Sequence, residues 1–271
     1  MLKGRVLVIA GSDSGGGAGI QGDSKTITGL GGFATTAITA LTAQNTQLVS
    51  AIHEVPVDFI KEQIRVIMTD IGADCIKLGM LHSIEVIEAV VEAIEAYATD
   101  IPIVSDTVMM AKGGAKLLAN DAIKAFQTHI LPISSLITPN IPEAEILSEQ
   151  KISNSILAVE AGQKLLKYGS SAVLIKGGHL NHAKIIDQLL IDDKIHVFEG
   201  QRLKSRHTHG TGCAMASACA TGIAQGLSIY DSVERAQKYV FKAILTAPGL
   251  GKGYGPLNHF HTDYNANTDA T

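Results

Sequence analysis

The stretch RVLVIAGSDSGGGAGIQGD, residues 5–23, runs from an apolar, β-branched segment straight into a loop dense in glycine. Its first six residues read as a buried strand that stops at Gly11. The loop contains GAGIQG at 17–22, a formal match to the glycine fingerprint of dinucleotide-binding folds. That fingerprint needs its first glycine in the turn directly after the strand, and an acid about 20 positions on for the ribose. Here six residues separate Ala10 from Gly17, and the first acid after Asp23 is Glu54. A P-loop fails as well. Counted from Gly17, G-x-x-x-x-G-K-[ST] meets Asp23 where lysine is required, and Lys25 arrives two positions late. Glycine this dense costs chain entropy unless something must approach the backbone closely. The loop therefore reads as a ligand-facing turn of another kind, anchored by Asp13 or Asp23, with Asp23 alternatively only a helix-turn residue.

Working outward, GFATTAITAL (32–41), DCIKLGM (74–80), IPIVSDTV (101–108), SSLITPN (134–140) and SAVLIKGG (171–178) repeat the strand pattern of the opening run. Between them, VDFIKEQIRVIMTDI, SIEVIEAVVEAIEAY and SILAVEAGQKLLKYG carry apolar residues at helical spacing. Continuous apolar strands separated by amphipathic helices predict an α/β fold with a mostly parallel sheet covered on both faces. Two segments break the rhythm. IIDQLLIDDKIHVFEG (185–200) predicts a hairpin turning at Asp192-Asp193-Lys194, and the last third becomes helical. The tail NHFHTDYNANTDAT lacks a core pattern, so a single domain over 1–257 followed by a polar tail, 258–271, is expected.

Composition narrows the function. With 271 residues and 46% hydrophobic side chains the chain can bury a large core without staples. No apolar run approaches the roughly 18 residues of a membrane span, and no leader pattern opens the chain, so a cytoplasmic protein without a membrane partner is expected. A net charge of −4 argues against nucleic acid. Cys75, Cys213 and Cys219 show no C-x-x-C spacing, which excludes a zinc site of that type and a disulfide framework. Any phosphate must then be compensated locally, by a helix start, a lysine or a metal.

Such a place exists at HTHGTGCAMASAC, 207–219. Gly210-Thr211-Gly212 allows successive N–H groups to point one way, ahead of a small-residue helix that adds its positive end. Cys213 stands at that helix start, where its thiol pKa is expected to fall and a base or nucleophile becomes possible. The same residues also describe a plain turn followed by a small buried hydrophobe. His207 and His209 carry no assigned role. In TPNIPEAE (138–145), Asn140 and Glu143 are close to a capping box, which taken alone is the stronger reading; the other would put a carboxylate at a strand end where magnesium can be held through water. Lys176 and Asp106 each close an apolar strand, so the strand ends carrying Gly11, Asp106, Asn140 and Lys176 are expected along one rim.

Taken in order and spacing, GSDSGGGAGIQGD, TAQNT (42–46), KLGM (77–80), TPNIPEAE, VLIKGGH and HGTGC resemble the hydroxymethylpyrimidine/phosphomethylpyrimidine kinases of thiamine biosynthesis, members of the ribokinase-like superfamily. The resemblance covers residues from about 5 to about 255. It implies a three-layer α/β/α fold around a mainly parallel sheet, with a small hairpin flap and no large separate lid domain, usually as a homodimer. It implies ATP-dependent phosphorylation of the pyrimidine hydroxymethyl group and then of the monophosphate, with Mg2+. By residue, it implies Gln44 on the pyrimidine, with Gly11, Ala18, Asp23, Met80 and Val108 around it. Cys213 becomes the catalytic base, Gly210, Thr211 and Gly212 the anion hole, and Asn140, Glu143, Lys176 and Asp106 the ATP and magnesium site. One departure stands out: where the family usually reads Asp-Pro-Val, this chain has Asp106-Thr107-Val108. Pyridoxal kinase is the nearest competing activity. A cysteine hydrolase using Cys213 and His209, or a non-catalytic vitamin binder, are alternatives from other classes.

Overall fold

The apolar run forms β1 (Arg5–Asp13), and its side chains divide between two cores. Val6, Val8 and Ala10 join one, Leu7 and Ile9 the other, and none is more than 1% exposed. A strand buried on both sides belongs inside a sheet that is covered on both sides. The computed structural model, which describes residues 3–110, 114, 117–119, 121–180 and 184–261, contains that sheet.

The chain continues through α1 (Gly19–Gly29), β2 (Phe33–Gln44), β3 (Val49–Glu54), α2 (Val57–Asp70), β4 (Cys75–Leu78), α3 (Ile84–Tyr97) and β5 (Ile103–Ser105). A short α4 (Ala122–Ala125) runs into a π-helical turn, Phe126–Ile130. Then follow β6 (Leu136–Ile137), α5 (Ile141–Ser148), α6 (Ser155–Leu166), β7 (Ala172–Ile175), β8 (Lys184–Ile191), β9 (Lys194–Gln201), α7 (Thr211–Ala224) and α8 (Ile229–Leu245). Among the described residues all strands share one sheet, ordered β3-β2-β1-β4-β5-β6-β7-β8-β9. From β2 to β7 neighbours run parallel, while β3, β8 and β9 add antiparallel edges.

The two cores define the layers. Ile60, Ile64, Ile87, Val90, Leu147 and Leu165, from α2, α3, α5 and α6, pack on one face of the sheet. Ile27, Ala216, Cys219, Val233 and Val240, from α1, α7 and α8, pack on the other. The expected α/β/α architecture is therefore observed. α7 is built almost wholly of small residues, and Ala214, Ala216, Ser217, Ala218, Ala220 and Gly222 are all buried against the sheet and α8. Chain order reverses between β1 and β4, whose carboxyl ends lie side by side. Open α/β sheets bind ligands outside that point.

Differences from the sequence reading have local causes. β3 was not expected, because five of its six residues are exposed and it carries no alternation. β5 and β6 are shorter than their apolar runs, since the segments beyond Ser105 and Ile137 leave the sheet to form the rim. The hairpin turn is Asp192-Asp193 alone, both at positive φ (51° and 58°), and Lys194 already pairs with Ile191. β8 also pairs with β7 over four residues, so the hairpin extends the main sheet and is not a detached flap. The described part of the tail, 258–261, is held: Asn258 N–H donates to the Ala243 carbonyl, and the His259 ring lies 3.0 Å from the Tyr239 hydroxyl. No described helix is long and apolar enough to cross a membrane.

Candidate active site

The carboxyl ends of the parallel strands and the start of α7 surround a cavity of about 1320 Å³. Its walls include Gly11, Ala18, Gln44, Met80, Asp106, Val108, Asn140, Glu143, Lys176, Gly210, Thr211, Gly212 and Cys213. Every expected site residue except Asp23 is thus brought to one space.

At one end the glycine loop wraps a carboxylate of its own. Asp13 is 3% exposed, and accepts from Gly15 N–H at 2.8 Å, Gly17 N–H at 3.1 Å and Ala18 N–H at 2.9 Å. His209 Nε2 lies 2.7 Å from Asp13 Oδ2. Burial alone would raise the Asp13 pKa, but the His209 hydrogen bond and the N–H donors outweigh it and hold the carboxyl below its ordinary range. Gly17 and Gly210, the latter at φ 85°, touch so closely that a Cβ on Gly210 would run into the Gly17 carbonyl.

Asp23 corrects an expectation. It is fully buried on α1, where its carboxylate accepts from Lys77 Nζ at 2.9 Å and from Ser217 Oγ at 2.7 Å, behind the cavity wall. It has no surface to offer a ligand. Burial pushes Asp23 upward and Lys77 pulls it down. For Lys77 burial favours the neutral amine, yet the Asp23 charge wins and the ammonium is held above its usual range. A lysine in the middle of an apolar strand needs a buried counter-ion. DCIKLGM carries that signal in the sequence.

Next to this loop, Gly210 caps α7, and the first helical bond runs from Ala214 N–H to the Gly210 carbonyl. The N–H groups of Gly212 and Cys213 precede that ladder and head the helix. Thr211 N–H reaches back weakly to the Thr208 carbonyl at 3.4 Å, so the nest is narrower than three successive free donors. Lys176 Nζ and Asp106 Oδ1 stand 3.5 Å apart, both beside Gly212. Cys213 keeps part of its surface open to the cavity, but burial pushes its thiol up to about 12 against the opposing pull of Lys77. The expected fall in pKa at the helix start is outweighed by desolvation.

Of the two readings of Asn140 and Glu143, the capping box is observed, and both residues also line the cavity. Asn140 Oδ1 accepts from Glu143 N–H at 3.0 Å, and Glu143 Oε2 accepts from Asn140 N–H at 2.9 Å, a complete capping box. The same Oε2 accepts from the Thr107 hydroxyl at 2.8 Å. This places the unusual Thr107 directly behind the carboxylate that faces the cavity. Burial, aided by the Asp106 charge and opposed by Lys176, raises the Glu143 pKa. Asp106 Oδ2 is buried and has no hydrogen-bond partner among the described residues. An orphaned carboxylate oxygen beside a second buried carboxylate is what a hard divalent cation would relieve, so the residues fit Mg2+.

A family model described as phosphomethylpyrimidine kinase matches residues 13–258, which hold this whole constellation apart from Gly11. The chain belongs to the phosphomethylpyrimidine kinase family. It is 42% identical over 257 residues to the hydroxymethylpyrimidine/phosphomethylpyrimidine kinase of Bacillus subtilis, covering 94% of each chain. It is 46% identical over 257 residues to the thiamine biosynthesis bifunctional protein ThiED of Geobacter sulfurreducens, covering 95% of this chain but about half, 52%, of that longer protein. The solved structure of Bacillus subtilis pyridoxal kinase in complex with ADP aligns with a TM-score of 0.88 at 31% identity, over 95% of this chain and 97% of that one. As a member of the phosphomethylpyrimidine kinase family the chain is a phosphotransferase.

Two outcomes follow from the buried polar contacts. Asp23→Ala leaves Lys77 buried and unpaired and should cost roughly 3–5 kcal/mol. Asp23→Leu combined with Lys77→Met should recover most of that loss, as read from urea midpoints. Thr107→Val removes a donor from a buried carboxylate, worth about 1.5–3 kcal/mol. Steady-state kinetics should show a raised KM for MgATP in Thr107→Val and little change in Thr107→Ser.

Proposed function

We propose that the chain transfers the γ-phosphoryl group of ATP to the hydroxymethyl oxygen of 4-amino-5-hydroxymethyl-2-methylpyrimidine, and then to the resulting monophosphate, in thiamine biosynthesis. One observation carries the reading. The part of the cavity lined by Gln44, Gly11, Ala18, Met80 and Val108 belongs to the same space as the part lined by the α7 start, Lys176 and Asp106, whose Oδ2 has no hydrogen-bond partner among the described residues. A small ring bound in the first part would present its hydroxymethyl group to a phosphate held in the second.

Phosphoryl transfer depends mainly on positioning and on compensating negative charge. The substrate oxygen forms the new bond to γ-phosphorus as the bond to the β-phosphate oxygen breaks and ADP leaves. In the fraction of enzyme that carries Cys213 as the thiolate, the hydroxyl proton passes to its Sγ, the base within the helix-start nest, and is lost to solvent before the next turnover. Gly210, Thr211 and Gly212 cradle the moving phosphoryl group, with the helix dipole behind them. Lys176 meets the phosphate charge, and Asn140 and Glu143 serve the nucleotide side together with Asp106. Mg2+, held by Glu143 through water and by Asp106, would neutralise the phosphates of the nucleotide. Asp23 acts from below by fixing Lys77 and Ser217 under Cys213 and has no contact of its own with substrate. His209 is bonded to Asp13 and lies beside Gln44, and no described hydrogen bond joins it to Cys213, which disfavours a Cys213–His209 hydrolase pair. A cytoplasmic homodimer is the working state in this reading.

The likeness to pyridoxal kinase gives the second reading its weight. ADP release measured with hydroxymethylpyrimidine and pyridoxal side by side separates the two. Faster turnover of the pyrimidine is expected, and turnover of pyridoxal alone would reverse the assignment. In the second step the acceptor is already an anionic phosphate and needs no base. Cys213→Ala should therefore slow the first single-turnover step by about 10²–10⁴ and the second far less. With a thiol pushed up to about 12, the thiolate fraction grows as pH rises, so the first step should accelerate from pH 6 to 9. That slope should flatten in Cys213→Ala, and equal losses in both steps would count against Cys213 as base.

A further inference from the structure

The turn that leaves β7 is gripped by the β8–β9 hairpin on both sides. β7 and β8 pair from Ala172↔Ile191 to Ile175↔Gln188, and the same antiparallel register sets Lys176 opposite Asp187, one step past the last pair. There the backbone ladder gives way to a side chain. Lys176 N–H donates to the Pro139 carbonyl at 2.9 Å, and Gly177 N–H donates to Asp187 Oδ1 at 2.8 Å. The peptide units before and after Lys176 are therefore both tied down. Asp187 Oδ2 accepts from Gln237 Nε2 of α8 at 2.8 Å, so both oxygens of this buried carboxylate are filled. The turn presses so closely on β8 that a Cβ on Gly177 would run into the Ile186 carbonyl. Just past β9, Arg202 closes the grip from the acceptor side. Its Nη1 donates to the Gly178 carbonyl and its Nη2 to the Leu180 carbonyl, each at 2.8 Å. The Lys176 ammonium is left to Asp106, 3.5 Å away, on the cavity wall.

We propose that Asp187, seconded by Arg202, is a positioning residue for phosphoryl transfer that fixes the backbone at Lys176 and so aims its ammonium at the nucleotide phosphates. Lysine is a point charge on a flexible four-carbon stem, and its reach is defined only as well as the backbone it leaves. Asp187 holds that backbone through an N–H group, and Arg202 holds the turn beyond it through two carbonyls. Neither needs to touch the nucleotide. This role rests on the reading of Lys176 as a phosphate contact and adds to it the residues that place the lysine. The hairpin at the sheet edge thereby serves the site through the turn it grips.

Steady-state ADP release with the pyrimidine acceptor provides the test. Asp187→Ala should raise KM for MgATP about tenfold while leaving KM for the pyrimidine within about twofold. Asp187→Asn should recover most of that loss. Its oxygen still accepts from Gly177 N–H, and the Gln237 amide can turn over to meet its NH2 group. Arg202→Met should also raise KM for MgATP, and it carries the test even where circular dichroism shows that Asp187→Ala does not fold. Each change is repeated on a Lys176→Met background, where residues acting through Lys176 should add less than about twofold. Losses that multiply in full on that background overturn the inference. An unchanged KM for MgATP in Asp187→Ala or in Arg202→Met overturns it, as do equal rises in KM for both substrates, which mark a merely structural role. An Asp187→Asn enzyme as impaired as Asp187→Ala also counts against it decisively. An unchanged KM for MgATP in Lys176→Met alone, or a wild type that releases no ADP, instead overturns the proposed function on which the role rests.

Discussion

The carboxylate of Asp13 is the point on which the site is assembled, because it draws three N–H groups of one loop and the imidazole of another onto two oxygens. A carboxylate buried this deeply is tolerable only when its lone pairs are filled. Once they are, the loop that follows β1 has few ways to move relative to the segment that leads into α7. The near contact of Gly17 and Gly210 tightens the same join from the backbone side. The glycine loop after β1 and the start of α7, about two hundred residues apart in sequence, thereby share one hydrogen-bonded knot.

Around that knot lies a deliberate imbalance of charge. Lys77 answers Asp23, and Lys176 stands opposite Asp106, which leaves Glu143 as the carboxylate in excess. The excess is visible as the raised pKa of Glu143 and as the orphaned oxygen of Asp106. A further cation is what such a cluster of buried carboxylates lacks. The thiol of Cys213 sits within the same field, where desolvation favours its neutral form.

Much of this was legible in the sequence because it follows from short-range rules. The strand run 5–10, the capping box at Asn140 and Glu143, and the glycine-flanked start of α7 each carry their structural signal within a few residues. What could not be read depends on partners far apart in the chain. Asp23 looked like a ligand contact because its partner Lys77 lies 54 residues away, inside a strand whose lysine had not been matched to an acid. His209 had no assigned role because Asp13 lies 196 residues earlier. Thr107 appeared only as a missing proline, and its hydroxyl gains a purpose once Glu143 is folded against it. β3 was invisible for the opposite reason: a solvated edge imposes almost no pattern on its side chains.

The small side chains along α7 have a consequence beyond packing. Distance between a helix and the layer beneath it is set by the bulk of the residues at the contact. With alanine, serine and glycine at many of the buried positions, α7 can lie close to the strands beneath it. The placing of its cavity-lining start therefore depends on small side chains, Ala214, Ala216, Ala218 and Ala220 among them, that do not line the cavity. A lineage of these enzymes could retune the gap between its two substrates by exchanging a buried alanine for a larger neighbour, leaving every residue on the cavity wall as it stands.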